Sequence, residues 1–555
     1  MEQSPPRRNR WFWLVLVTFG LLCLLPATRR LLRMQVQMET LTYARQPDLA
    51  RERAVAERLT EDYPVQLAFA TRDLFSFSDV AVGVAYSGAA AKARNRRIEA
   101  LIERFPNNPS IYANFLRYMT TSEVHLSRDP RASVEHFAPP TTPYFPAPDA
   151  LDRFLAAAHK GAELDPDNAY FPVMQAVGLF AAYRDPEALE TLKSAGRCGH
   201  WSEYLQDEWD GLKRLEDAAY GARLPLRSVC IFYNQVFPQY ASIRSMERVA
   251  LSLAEKNEHA GNNRGGIVVR HALMRCGGLM RAQGDRAITN SVGIQVAANA
   301  TSNPGGVRDP VSHSSYHRDT PPNPDRYYTY LATVGRREEV DWVKSELAAG
   351  DRAKAIVREF GNHTDGDLRQ YAEFCWSWLA NTVLLASTLI LLVLGMAAHL
   401  AARICPRRAM EVGRGVFTLL LLCGIGCWQW KAACLAITPY AFLMGSHDGM
   451  ESLAHCSDTM AFFYFSNLMI PALLVYIIVL MASSMSVPLP TGVGRGLRGL
   501  AWPTAAVMFL LYSVSLLPTV YFDAAITTNI GTYAHNESRY FAEHNHKIWP
   551  GDPQP

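Results

Sequence analysis

Two stretches of sequence set the tightest limit on what this chain can fold into. "ALIERFPNNPSIYANFLRYM" (100–119) and "AAAHKGAELDPDNAYFPVMQAVGLF" (156–180) each join two amphipathic runs across a short break rich in Pro, Asn and Asp. Proline inside a helix removes a backbone hydrogen bond and clashes with the turn before it, so each break ends one helix and begins another. "YRDPEALETL" (183–192) offers Asp185 as an N-cap with Pro186 at the first helical position, where the missing N–H leaves nothing unsatisfied. Alternating runs of Val, Ile and Thr are scarce outside the strongly apolar regions, which argues against strands. A single helical hairpin cannot bury its apolar stripe, whereas stacked hairpins cover one another. The expected fold class is therefore all-α, built on an array of helical hairpins.

A second feature points the same way. "RAQGDRAITN" (281–290) is echoed 66 positions later by "LAAGDRAKAI" (347–356), with Gly-Asp-Arg-Ala in phase in both. Glycine readily takes the conformation that closes a helix, and aspartate accepts from a free backbone N–H that opens the next. Gly284 with Asp285, and Gly350 with Asp351, are each predicted to be a hairpin hinge.

"FPNNP" (105–109) and "LDPDNA" (164–169) resemble the junction between successive tetratricopeptide repeats, where a proline closes the second helix of a unit. The 66-residue spacing is close to two such repeats of about 34 residues each. Pro172 departs from the pattern, standing where the repeat usually has a large aromatic, and no strict register persists across 29–375. The resemblance implies a degenerate array with a concave surface for protein or peptide partners.

Of the 555 residues, 49% are apolar, and they crowd into 11–28 and the region after 376. Trp11 to Leu25 carries no charge and is flanked by Arg7, Arg8 and Arg10 on one side and Arg29, Arg30 and Arg33 on the other. It reads as an N-terminal transmembrane anchor over 11–28, or as a signal peptide. Trp376 to Leu400, Val416 to Ala436, Met460 to Ala482 and Leu500 to Phe522 are each long enough to span a bilayer as a helix. The loops holding Arg403, Arg407, Arg408 and Arg414, and Arg495 and Arg498, are basic, while 440–458 is acidic. By the positive-inside rule this predicts a multi-pass protein of the cell membrane. Its expected parts are a cytoplasmic N-terminus (1–10), an extracytoplasmic helical-repeat domain (29–375), a four-helix membrane domain (376–522) and an extracytoplasmic polar tail (523–555), with the lipid bilayer as one partner. Pro- and Gly-rich loops at 136–150 and 301–326 are the places where the array would bind others.

Signals for chemistry are sparse. A net charge of +3 is small for the length and does not suggest nucleic-acid binding. Among ten cysteines, Cys198, Cys230, Cys276 and Cys456 could form one or two disulfides, with the pairing open. No phosphate-binding Gly-rich loop, His-Glu-x-x-His or Gly-x-Ser-x-Gly occurs. His313 and His317 are four apart, but in a Pro- and Ser-rich loop. "GSHDGMESLAHCSD" gathers His447, Asp448, Glu451 and His455 as candidate metal ligands, and the tail adds His535, Glu537, Glu543, His544 and His546. Cys423 and Cys427 read as a helix contact. Lys431, alone in an apolar stretch, must snorkel, line a cavity or find a partner such as Asp458 or Asp523. No cofactor is expected. The reading favoured by these features is a non-enzymatic cell-envelope scaffold whose array binds partner proteins. Its alternative is a membrane enzyme or transporter with Lys431, His447, Asp448, Glu451 and His455 converging at the outer face.

Overall fold

The computed structural model describes residues 10–36, 49–72, 88–126, 145–220, 237–306, 322–361, 509–521 and 533–545, with isolated positions at 381–392, 505, 506 and 524. Among them the chain is all-helical, and the one β pairing is an isolated bridge between Asn168 and His200. The helices are α1 (Arg10–Leu24), α2 (Pro26–Val36), α3 (Leu49–Arg58), α4 (Tyr63–Thr71), α5 (Gly88–Arg104), α6 (Pro109–Ser122), α7 (Pro148–Leu164), α8 (Tyr170–Ala181) and α9 (Asp185–Ala195). They are followed by α10 (Leu205–Tyr220), α11 (Pro238–His259), α12 (Asn263–Gln283), α13 (Ala287–Asn299), α14 (Pro324–Thr333), a helical stretch at 339–361, and α15 (Tyr533–Asn545).

Helix ends follow the punctuation of the sequence. Asn108 caps α6 by accepting from the Ser110 N–H at 3.0 Å, with Pro109 as the first helical residue. Asn168 closes the α7/α8 corner: its side chain accepts from Tyr170 and Ser202 backbone N–H groups and donates to Asp165. Pro172 is tolerated because it lies in the first turn of α8, where no intrahelical N–H bond is lost. Its neighbour Phe171 fills the notch at Gly161, where a Cβ would lie 2.1 Å from the ring. At α9 the N-cap is Arg184, and Asp185 falls within the first turn.

Helices α4 to α9 pack in chain order, each on the next where both are described, and α11 lies across α6 and α8 before turning into α12. One continuous apolar core runs from α4 through α9 and on through α11, α12 and α14. α12 and α13 approach closely on both sides: a Cβ on Gly277 would lie 2.6 Å from the Gly293 carbonyl oxygen and one on Gly293 2.5 Å from that of Gly277. α10 leaves the stack and returns to α3 and α4. Gly211 permits this, since a Cβ there would meet the Pro64 carbonyl at 1.8 Å. Tyr63 donates to Asp207 at 2.9 Å, and Arg72 joins Glu52 of α3 to Glu216 of α10.

The membrane expectation is corrected. Among the described residues no helix is long and apolar enough to cross a membrane, which overturns the multi-pass, signal-anchor and cell-membrane reading. α1 ends after 15 residues, about 22 Å of rise against roughly 30 Å of hydrocarbon. It ends there because Pro26 opens α2, and the Thr28 hydroxyl donates to the Leu25 carbonyl at 3.1 Å. The uncharged run in the sequence is therefore longer than the helix it makes. The last proposed span is described at 505, 506 and 509–521; it packs on α1 through Phe509 and Phe19 and holds Asn381 by its Ser515 and Thr519 hydroxyls. The stretches 376–400, 416–436 and 460–482 lie outside the described residues, apart from single positions between 381 and 392.

The hinge expectation divides. At the first Gly-Asp-Arg-Ala the chain does turn from α12 into α13, but Gly284 is extended rather than left-handed and the N-cap is Arg286, not Asp285. At the second, a helix runs through 339–361 without a break. Ala349 and Ala353 both pack on Ile294 of α13, so an unbroken helix buries what a hinge would expose.

Candidate functional site

Most residues singled out for chemistry fall outside the described part of the chain. These are Lys431, His447, Asp448, Glu451, His455, His313, His317, Cys423 and Cys427. Among the described residues no group of His, Cys, Asp or Glu could hold a metal ion. Cys198 and Cys276 are free thiols and buried, and burial pushes Cys276 up to about 12. In the tail, His544 stacks on Tyr540 at 4.2 Å, while Glu537 goes into the interior.

Glu537 leads to the most heavily charged part of the interior, where α6, α10, α11 and α15 meet the α12/α13 turn. α6 contributes Arg117 and Tyr118 from the apolar run "ANFLRYM". Arg117 pairs with Glu208 of α10 and donates to Asn114 at 2.7 Å, while Tyr118 donates to the other Glu208 oxygen at 2.6 Å. The guanidinium carbons of Arg94 and Arg117 lie 4.2 and 4.5 Å from the Tyr118 ring centroid, within cation–π range. Burial would raise Glu208, but Arg117 and the Tyr118 hydroxyl outweigh it and hold the carboxyl below its ordinary value.

Glu203, which lies just ahead of α10, has the opposite balance. Only 5% exposed, it accepts from Tyr240 at 2.6 Å and from Gln239 at 3.5 Å, and Tyr240 also bonds the Thr289 hydroxyl of α13. Burial raises its carboxyl to about 7, with Asp285 adding to the rise and Tyr240 and Arg117 opposing it. Burial likewise pushes Asp285 up, against the pull of Arg286.

The third part of the junction crosses 250 residues of chain. The Ala287 N–H at the start of α13 donates to Glu537 at 2.8 Å, and Arg286, 1% exposed, donates to the other Glu537 oxygen at 3.3 Å. Glu537 thus does for α13 what the sequence assigned to Asp285. Burial raises the Glu537 carboxyl, with Arg286 opposing and Asp285 reinforcing the rise.

A buried acid near neutrality beside a tyrosine is a pattern found in proton-transfer sites. Here the groups join five elements that are distant in sequence. A comparable clamp sits at the far side of α12: Arg270 meets Glu258 at 2.7 and 3.0 Å and donates to the Ala300, Ser302 and Asn303 carbonyls. Of these residues only Asp285, as a hinge, and Glu537, as one of the tail residues, were singled out from sequence. A trace was present in "ANFLRYM", one charge inside an apolar run, and in Glu208 between Leu205, Trp209 and Leu212 on one face of α10.

No family model, curated protein or solved structure matches this chain.

Proposed function

We propose that the chain is a non-enzymatic scaffold whose tetratricopeptide-like helical hairpins bind partner proteins or peptides. The observation that carries this reading is the single core running through successive hairpins. It ties the hairpins into one packed unit, and helical arrays of this build mostly bind rather than catalyse. The buried junction supports the same reading, since its charges fix the angle between hairpins.

One exposed feature suits a partner. Phe145, ahead of α7, and Tyr183, after α8, pack ring on ring at 4.9 Å and are 58% and 40% exposed. Tyr183 ends α8 at φ 59°, closing a Schellman turn in which the Arg184 N–H bonds the Leu179 carbonyl. A bulky residue in that left-handed position carries strain that glycine would avoid. An exposed aromatic pair held at such a turn is the kind of anchor that concentrates binding energy.

The test is crosslinking of the affinity-tagged full-length chain in its own cells, followed by purification and mass spectrometry. A scaffold yields a reproducible partner crosslinked within residues 88–361. Its recovery should fall with Tyr183→Ala while the melting temperature shifts by no more than about 4 °C. Recovery of the chain alone under conditions that crosslink known complexes would defeat the reading.

A further inference from the structure

We infer that the cleft holding α15 is an exchangeable docking seat for amphipathic helices that carry a carboxylate followed, three and four positions later, by two aromatic side chains. The inference rests on the scaffold reading and names the surface and the kind of partner.

The contacts described for α15 lie on one face. Glu537, Tyr540, Phe541 and His544 are spaced i, i+3, i+4 and i+7, which places them on the same side of a helix. Glu537 takes the Ala287 N–H and the Arg286 guanidinium. Phe541 is fully buried, and it and Tyr540 lie 5.1 and 5.2 Å from Phe360 of the 339–361 helix. α10 and α12 also pack against α15. The other side of α15 is exposed and carries the Arg539–Glu543 pair. This is the helix-in-groove mode, with anchors at helical spacing and a charged contact that sets the register.

Two observations make the seat exchangeable. Among the described residues, the groups that grip α15 belong to the array, so a helix from another chain with the same face would meet the same bonds. A helix of 13 residues is also marginal by itself in water, so α15 owes its order to the seat.

The probe is a fluorescein-labelled peptide of residues 528–550, titrated by anisotropy against the full-length chain and against full-length Glu537→Gln/Phe541→Ala. The double variant, its own α15 loosened, should bind the peptide about tenfold or more tighter than wild type, because the competing intramolecular occupant is weakened. A peptide carrying the same two substitutions should bind neither. In case the variant folds poorly, a second measurement uses the wild-type chain, uniformly labelled with heavy nitrogen. Excess unlabelled peptide should speed amide exchange at 533–545 of the chain itself. Equal weak binding to both chains, with no change in exchange, would overturn the seat. A concentration-dependent dimer of wild type that the peptide dissociates would support it, with a second copy as the occupant. A partner captured on the array while the peptide binds nowhere would sink the seat and leave the scaffold standing. Peptide binding with no partner ever recovered would keep the seat and remove the scaffold.

Discussion

At 284–287 the residues Gly-Asp-Arg-Ala separate two helices, and at 350–353 the same four residues run through the middle of one. In the first copy there is no room: a Cβ on Gly284 would lie 2.5 Å from the Met280 carbonyl and 2.6 Å from Thr289. In the second, the nearest atom to a Cβ on Gly350 is a methyl of Ile294 at 3.9 Å. Arg286 is buried against Glu537, whereas Asp351, with a 73% exposed side chain, makes only a short-range pair with Lys354. Four identical residues thus take opposite roles because of what surrounds them. The first copy meets a carboxylate from 250 positions away, and the second packs Gly350 and Ala353 inward while Asp351 and Arg352 face water.

The largest expected break in this comparison comes from the arginines. Arg286→Ala leaves the Glu537 carboxyl buried without its partner and should destabilise the chain by about 3 to 5 kcal/mol, read by denaturant unfolding. Arg352→Ala, on an exposed helix surface, should stay within about 0.5 kcal/mol. Equal effects would mean that the two copies are not distinct.

Next is the acid beside the first copy. Glu203 is raised from 4.5 to about 7 in the folded chain, so the fold favours its protonated form. Its contribution is fully present below the unfolded value and is lost as pH climbs through about 7. Stability should therefore fall between pH 5 and pH 8, by roughly 3 kcal/mol from this group. Glu203→Gln should flatten that part of the profile, and an unchanged slope would show that Glu203 titrates normally.

The glycines give smaller effects of opposite sign. Gly284→Ala forces a methyl into packed atoms and should cost about 1 to 3 kcal/mol. Gly350→Ala replaces a glycine inside a helix where the new methyl makes only ordinary contact with Ile294, and should stabilise by about 0.5 to 1 kcal/mol. Thermal unfolding of the two variants side by side tests the pair, and a loss at Gly350 would restore the hinge expected there.

How far the sequence could be read follows from the same contrast. The all-α class and the corners at Asn108–Pro109 and 165–168 were legible, because proline, asparagine and aspartate act within a few residues of where they stand. The return of α10 to α4 was not, since the space that Gly211 leaves for Pro64 is set by two elements 147 positions apart. The capping of α13 was assigned to Asp285 because it is the local acid, and the distant Glu537 took the position instead. Glu537 was visible only as one of several polar tail residues. Arg94, Arg117 and Arg270 could not be told from solvated arginines by type alone. The N-terminal apolar run was read by its lack of charge, while its helical length was decided by Pro26.

The central claim is that Arg286 and Glu537 form one joint between the array and the C-terminal helix. A double-mutant cycle with Arg286→Met and Glu537→Leu, measured by denaturant unfolding of the full chain, tests it directly. The joint predicts a coupling of about 1.5 kcal/mol or more, with the double variant more stable than the sum of the single losses. Single effects that add to within about 0.5 kcal/mol would contradict it.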